Sequence, residues 1–501
     1  MRRTSYSRII FCYSIVFLLL IVGLQSTAVM AGDTFFASPR ALGMAGANVA
    51  SVNDTSAQYY NPAAFGFFAY RDKKGKKVPA DINNMGRKTW GTDLSIGAGY
   101  SIHGGIGEFL NTLSKIDIDD LSTNALITES DIQDLIELAN SLNGLDDPDN
   151  AITVDANAGL GVRVNHFGIG LRGYFQASGR VVELDTTNLG LVGSIDLNTE
   201  LNGIPVSGND GLVQLFTPAQ EAQLAAAGLT AASIQKLDFI AREVGVTQTD
   251  LDGTVDLLAD IADQTINGTG GPLEDNQTTV ALQGFGYAEV PLTYGYAIND
   301  YISVGGNVKA IQGRVYGTNL VVFDKDIGDL IQNVDSNFEE TTTFGVDLGF
   351  MARYNKFQLG LVGRNLNSPN FKGPTVLGVK FDDVTLEPQA AIGLAFIPFE
   401  TLTLEVDLDL TRNETTFTNY YTQNFSFGLE WDALRFLALR AGTYRNLAED
   451  DIGWVITGGL GINFWAARFD IAGAMATKSN QFDENDYPAE ARLDLGLSID
   501  F

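Results

Sequence analysis

Residues 491–501 read Ala-Arg-Leu-Asp-Leu-Gly-Leu-Ser-Ile-Asp-Phe. Leu493, Leu495, Leu497, Ile499 and Phe501 fall on one face, with Arg492, Asp494, Ser498 and Asp500 on the other, because strand side chains alternate with period 2. A half-buried strand of a water-soluble sheet would alternate in the same way. What separates it from a strand that presses its apolar face against lipid lies elsewhere in the chain.

At the other end, Arg2, Arg3 and Arg8 precede the apolar run 9–24, and Val29-Met30-Ala31 offers the small residues after which a signal peptidase cuts. A secretory signal peptide over 1–31 is expected, since the run is shorter than the ~20 residues that a membrane-spanning helix needs. Cys12 is the only cysteine, so the exported chain has neither disulfides nor thiol redox chemistry. The formal net charge is -29, and the leader removes arginines but no acids. Such acidity excludes nucleic acid as a direct partner, because phosphate binding needs a basic footprint. The 54 glycines are spread through strand-like segments, which fits curved, closely packed sheet.

Alternation bounded by turn residues marks about 14 segments: 90–103, 151–163, 165–179, 278–298, 301–322, 341–354, 356–366, 387–398, 400–413, 420–432, 434–445, 452–465, 466–477 and 489–501. Every even-numbered gap is a tight turn, and the odd-numbered gaps are longer. An up-and-down barrel of the outer membrane predicts this parity: short periplasmic turns, long extracellular loops and an even strand number. The fold class expected is therefore an all-β transmembrane barrel of about 14 antiparallel strands over 90–501. Trp90, Tyr294, Tyr296, Tyr301, Trp431, Trp454, Phe464 and Trp465 gather at strand ends, as interface girdles would. The long gaps 104–150 and 180–277 carry helical spacing. Ile132, Leu135, Ile136, Ala139 and Leu142 predict one helix; Thr217-Pro218-Ala219-Gln220 reads as a capping box opening a second. Ile234, Leu237 and Ile240, then Leu251, Val255 and Leu258, predict two more.

Ahead of the first strand stands Ser38-Pro39-Arg40-Ala41-Leu42-Gly43-Met44-Ala45-Gly46, continuing to Tyr60-Asn61-Pro62-Ala63-Ala64. This segment resembles the N-terminal plug of FadL-type outer-membrane proteins, which carry hydrophobic compounds through a 14-stranded barrel closed by a hatch with an Asn-Pro-Ala element. Gly360-Leu361-Val362-Gly363-Arg364-Asn365-Leu366, Glu405-Val406-Asp407-Leu408-Asp409-Leu410-Thr411, residues 437–445 and Thr457-Gly458-Gly459-Leu460-Gly461 are similar to the FadL-related group labelled conjugal transfer protein TraF. That group is the barrel type; the thioredoxin-like factor of the same label would need cysteines. The resemblance implies a plug over 32–89, with Gly43, Met44, Gly46, Asn61, Pro62 and Ala63 as its hatch residues. It leaves open whether that segment seals the barrel or moves.

Only His103 and His166 exist, so no zinc cluster, Cys-His pair or Ser-His hydrolase can be nominated, and neither an enzyme nor a cofactor is expected. Both histidines are expected at interface positions. Glu405, Asp407 and Asp409 fall in one lumen-facing row; the acidic runs at 146–149 and 483–486 read as solvated loops. Alternation turns Arg163, Arg172, Lys309, Arg353, Arg364, Arg440, Arg468 and Arg492 inward. Arg163, Arg172, Lys309, Arg364 and Arg440 are candidate contacts for the anionic head of an amphiphile. The expected partners are outer-membrane lipid, a hydrophobic small molecule, and the barrel-assembly machinery, which would meet the C-terminal strand at Phe501. Two functions compete: passive passage of hydrophobic or amphipathic small molecules across the outer membrane of a Gram-negative cell, and a non-transporting component of a conjugative or secretory assembly.

Overall fold

The computed structural model describes residues 36–501 apart from 73, 116–128, 146–149, 189–196, 205–213, 248–250, 269–270, 272–274, 322–336, 377–378, 416–419, 434 and 483–484. The expected leader with Cys12 and the acidic runs at 146–149 and 483–484 lie outside the described residues.

Fourteen antiparallel strands close into a barrel. In chain order they are β1 (Trp90–His103), β2 (Ala151–Val164), β3 (Phe167–Glu183), β4 (Thr279–Ala297), β5 (Ile302–Val321), β6 (Phe338–Tyr354), β7 (Phe357–Arg364), β8 (Gln389–Phe399), β9 (Leu402–Asp409), β10 (Asn424–Ala433), β11 (Leu437–Asn446), β12 (Trp454–Phe464), β13 (Ala467–Ala476) and β14 (Glu490–Asp500). β14 pairs with β13 and with β1, from Gly91↔Asp500 to Ser101↔Glu490, so no edge is left open. Beyond that ladder Phe501 N donates to Trp90 O at 2.9 Å, and the two rings lie 5.9 Å apart.

Leu493 is 53 % exposed whereas the next residue, Asp494, is 1 % exposed. The same division runs round the barrel, with Leu94, Ile96, Leu160, Leu292, Leu348 and Leu460 outward. An apolar belt that encircles the molecule is far larger than the patches water-exposed proteins carry. It is a lipid-facing surface, and closure satisfies the backbone polar groups that lipid cannot. At one end of the barrel consecutive strands are joined by tight turns. Asn165 and Asn355 adopt positive φ there (51° and 53°), which their short polar side chains tolerate; Arg435 and Trp465 do so as well (64° and 61°). Tyr294, Tyr296, Tyr301, Trp431 and Trp465 stand exposed near that end.

Among the described residues before the barrel are two short helices, α1 (Pro39–Gly43) and α2 (Ala57–Tyr60), and 3-10 turns over Pro62–Gly66 and Met85–Arg87. The loop between β1 and β2 holds α3 (Ile106–Lys115) and α4 (Glu129–Leu145). The loop between β3 and β4 holds α5 (Leu197–Gly203), α6 (Pro218–Ala226), α7 (Ala231–Glu243) and α8 (Leu251–Asn267). Three of these match the apolar spacing in the sequence, and α6 opens with the reciprocal Thr217/Gln220 capping box. The helices α3 and α5 were not legible, nor were four short hairpins in the loops, whose strands of two to four residues are too short to alternate. Ile132, Leu135 and Ile136 share one core with Leu237, Ile240, Val255 and Leu258, so the two insertions form a single cap.

Asp185 ties the ends of the larger insertion. It accepts from the backbone N–H groups of Thr187, Asn188 and Gln277 and from Asn188 Nδ2. Burial opposes its ionisation, but these donors outweigh it and bring its pKa down to about 2. An unfolded Asp titrates near 3.9, so the stabilisation is present above about pH 4 and is lost as pH falls towards 2. Hydrogen exchange of α8 is expected to speed up across that window, and Asp185→Asn should flatten the dependence.

Candidate functional site

Residues 36–68 touch inward faces of strands on opposite sides of the barrel, from β3 at Gly168 beside Phe65 to β12 at Gly459 beside Gly43, and therefore lie in the lumen; Arg71, Lys74, Gly75 and Lys76 are exposed. The local sequence explains their shape. Ser38 caps α1, accepting from Ala41 N, with Pro39 pre-set at the first helical position. The chain then reverses through Ala45 (φ 59°) and Gly46 (φ 89°). Asn61 caps the 3-10 turn through Ala63 N, and its amide donates to Val49 O at 2.9 Å and to Phe350 O at 3.1 Å. Ala41, Ala47, Ala50, Ala57, Ala63 and Ala64 are buried, and such small side chains let several passes of backbone fit within one barrel.

Two carboxylates on β9 hold four consecutive backbone N–H groups of this segment. Asp407 Oδ2 accepts from Asn48 N at 2.7 Å and Val49 N at 2.8 Å; Glu405 Oε1 accepts from Ala50 N at 2.6 Å and Ser51 N at 3.1 Å. Period 2 sets these acids one above the other on the lumen face, and 48–51 lies across them as a strip of donors.

A second anchor is ionic. Arg40 forks onto Glu430, with Nε at 3.1 Å and NH2 at 3.0 Å from Oε1. Arg440 donates to Glu430 at 2.7 Å and to Asp470 at 2.9 Å, and Arg468 reaches the same two acids. Arg40→Leu leaves Glu430 with Arg440 and Arg468, so the expected loss of anchoring is at the lower end of that for a broken buried pair, about 3 kcal/mol. Thermal release of the segment, followed by protease sensitivity of 36–89, measures it.

Towards the turn end, the guanidinium of Arg163 lies 3.9 Å over Phe68 and that of Arg353 lies 3.8 Å over Phe67. Arg353 also pairs with Asp81 at 3.1 Å, and Arg163 with Asp500. Buried cation-π contacts of this kind add about 1–2 kcal/mol.

The candidate lumen cations thus all face inward. Arg163, Arg364 and Arg440 are engaged as described or, for Arg364, with Tyr59 O at 2.9 Å and the Tyr59 ring at 4.5 Å. Lys309 pairs with Glu289 and Asp347, each at 3.2 Å. Arg172 is buried beside Tyr174, and its Nε and NH2 have no hydrogen-bond partner among the described residues. Of the hatch residues, Gly43 abuts Gly459, Met44 abuts Gly428, and Pro62 abuts Gly305. His103 is not an interface residue: it is buried, with Nδ1 2.9 Å from Asp451 and its ring 4.3 Å from Tyr420. It was misplaced because a strand end facing the lumen and one facing lipid look alike in sequence. His166 is half-buried in the tight turn between β2 and β3, with Nδ1 3.0 Å from Phe65 O.

Sequence reasoning passed over Arg40 and Glu430 as partners, and the glycines that form the bed. A Cβ at Gly305 would lie 2.2 Å from Pro62 O, one at Gly349 2.3 Å from Asn61 Oδ1, and one at Gly360 2.2 Å from Val49 O. The available signal was glycine at lumen-facing positions of three neighbouring strands, β5, β6 and β7.

A closed, lipid-facing barrel with residues 36–68 packed inside it defines a transmembrane β-barrel. A family model described as "F plasmid transfer operon, TraF, protein" matches residues 58–409. The chain belongs to that family, as the motifs of β7 and β9 imply. A comparison with curated protein sequences finds no match. Among solved structures the chain is similar to the Ralstonia pickettii toluene transporter TbuX, at 12 % identity over 93 % of this chain and 98 % of that one, with TM-score 0.44. It is also similar to a Pseudomonas aeruginosa FadL homologue, at 11 % identity over 94 % and 100 %, with TM-score 0.45.

Proposed function

We propose that this chain is an outer-membrane channel through which hydrophobic or amphipathic small molecules pass passively, with residues 32–89 as a movable plug. Residues 1–31 direct export, the assembly machinery meets the C-terminal strand at Phe501, and lipid surrounds the belt. The observation that carries this reading is that the lumenal segment belongs to no strand of the barrel. The polar bonds that hold it to the wall, at Glu405, Asp407 and Glu430, come from side chains, so it can shift without breaking the barrel's ladder. Ligand contact by Lys309 or Arg364 would require exchanging their present partners, whereas Arg163 Nε, Arg440 NH2 and Arg172 Nε and NH2 are donors without a partner among the described residues. Purified protein in liposomes is expected to take up a labelled fatty acid faster than protein-free liposomes, and equal rates would sink the idea.

A second reading, a non-transporting component of a conjugative or secretory assembly, is favoured by how full the lumen is. The cavities beside the segment measure about 50 Å³ each, against ~300–1,000 Å³ for ordinary small-molecule sites. A stable partner crosslinked in membranes, with no uptake, would support it.

A further inference from the structure

Two cavities are stacked in the lumen. The outer one lies among the loop-side ends of β1, β2, β11, β12 and β14; the inner one lies against the lumenal segment and β8, β9 and β10. Phe36, Asn424 and Tyr444 line both and separate them.

Both cavities carry more acid than base. In the outer one Arg492 is shared by Asp155 and Glu490, with Asp494 one inward position further along β14. His103 is turned to Asp451. Burial opposes ionisation of that Asp451, but the His103 and Tyr420 donors hold its carboxyl below the usual carboxylate range. In the inner cavity Asp407 and Asp409 face Arg364, whose guanidinium is already spent on Tyr59. Two polar atoms within the lining are left over: Thr153 Oγ1 in the outer cavity and Asp407 Oδ1 in the inner one, on side chains 5 % and 6 % exposed, have no hydrogen-bond partner among the described residues. A buried acceptor without a partner marks a place for a donor. The remaining walls are aromatic, with the rings of Phe36 and Tyr444 5.4 Å apart and the Arg492 guanidinium 5.1 Å from the Phe36 ring, Tyr420 on the outer side and Tyr59 and Tyr60 on the inner.

We propose that the stacked cavities bind a small organic ammonium ion. Excess carboxylate between low-dielectric walls concentrates cations, and aromatic faces attract the same charge. The volumes suit a head group with a short apolar stem, with Phe36 turning aside to join the two spaces. A carboxylate head would meet Asp155, Glu490 and Asp407 with neither nearby arginine free. An ammonium at Asp407 would also compete with Asn48 N and Val49 N for that side chain, coupling occupancy to release of the segment. This deepens the transport reading by giving it a charge class, and rests on it only for that coupling.

Calorimetric titration of the full exported chain in detergent, with benzylammonium, benzyl alcohol and benzoate, tests the inference. Benzylammonium is expected to bind at least tenfold more tightly than benzyl alcohol, and benzoate not measurably. Phe36→Trp, which fills the junction of the cavities, should weaken benzylammonium at least tenfold. Benzoate binding as tightly as benzylammonium, no binding by any of the three, or an unaltered affinity in Phe36→Trp would each overturn it. Liposome uptake of an uncharged hydrocarbon without benzylammonium binding would overturn this inference and leave transport standing; binding without uptake would do the reverse.

Discussion

A Glu405→Ala/Asp407→Ala double variant is expected to assemble as a barrel whose residues 36–89 have become protease-sensitive. The substitutions strip the acceptors from four consecutive backbone N–H groups, 48–51, inside a lumen where little else can replace them. Each orphaned buried donor costs about 1–3 kcal/mol, so the segment loses several kcal/mol of anchoring while the β9 ladder to β8 and β10 is untouched. Limited proteolysis and single-channel conductance in planar bilayers read the result. A segment as protected as in the unmodified chain, with conductance unchanged, would show that the carboxylate row is not its latch. Glu405→Gln/Asp407→Asn keeps an oxygen acceptor at each position, so the segment should stay better protected than in the double alanine variant.

Gly305→Val with Gly349→Val should act more severely, by shape instead of charge. The new Cβ atoms would stand 2.2 Å from Pro62 O and 2.3 Å from Asn61 Oδ1, and the crowded atoms at Gly305 are backbone that cannot swing aside. Overpacking typically costs about 1–3 kcal/mol per site even where side chains can adjust, so the Asn61-Pro62-Ala63 turn is expected to leave its bed. Gly458→Val is the control. A Cβ at Gly458 meets nothing within 4 Å, and valine suits a strand. The double variant should conduct in planar bilayers while Gly458→Val behaves as the unmodified chain does. Equal, closed behaviour of both would show that the glycine bed does not decide where the segment sits.

The barrel was legible in the sequence because two independent periodicities reported it. Alternation in Leu402-Thr403-Leu404-Glu405-Val406-Asp407 assigns faces, and the parity of short and long gaps assigns closure, strand count and the side on which each loop lies. Both signals are local, and the 14 expected segments coincide with β1–β14 to within a few residues at most ends. The helices α4, α7 and α8 were legible for the same reason, through a 3.6-residue period, and α6 through its capping box. The helices α3 and α5 and the short loop hairpins were not, because a few residues carry too little periodicity.

The site was legible only in part. Alternation put Glu405, Asp407, Arg440 and Arg364 inside the lumen, and the Asn61-Pro62-Ala63 element marked a special turn. Which charge meets which was not written in any local pattern. Arg40 and Glu430 are 390 positions apart, and Asp407 meets Asn48 across 359. Closing the barrel brings such residues within hydrogen-bond reach, and Coulomb attraction among buried charges then selects among the partners that closure supplies. The sequence by itself determined the wall: strand number, and which faces lie in lipid and which in the lumen. Only the tertiary structure decided what fills that wall and how it is held, because side-chain period is a property of neighbours in the chain, whereas pairing within a closed lumen depends on neighbours in space.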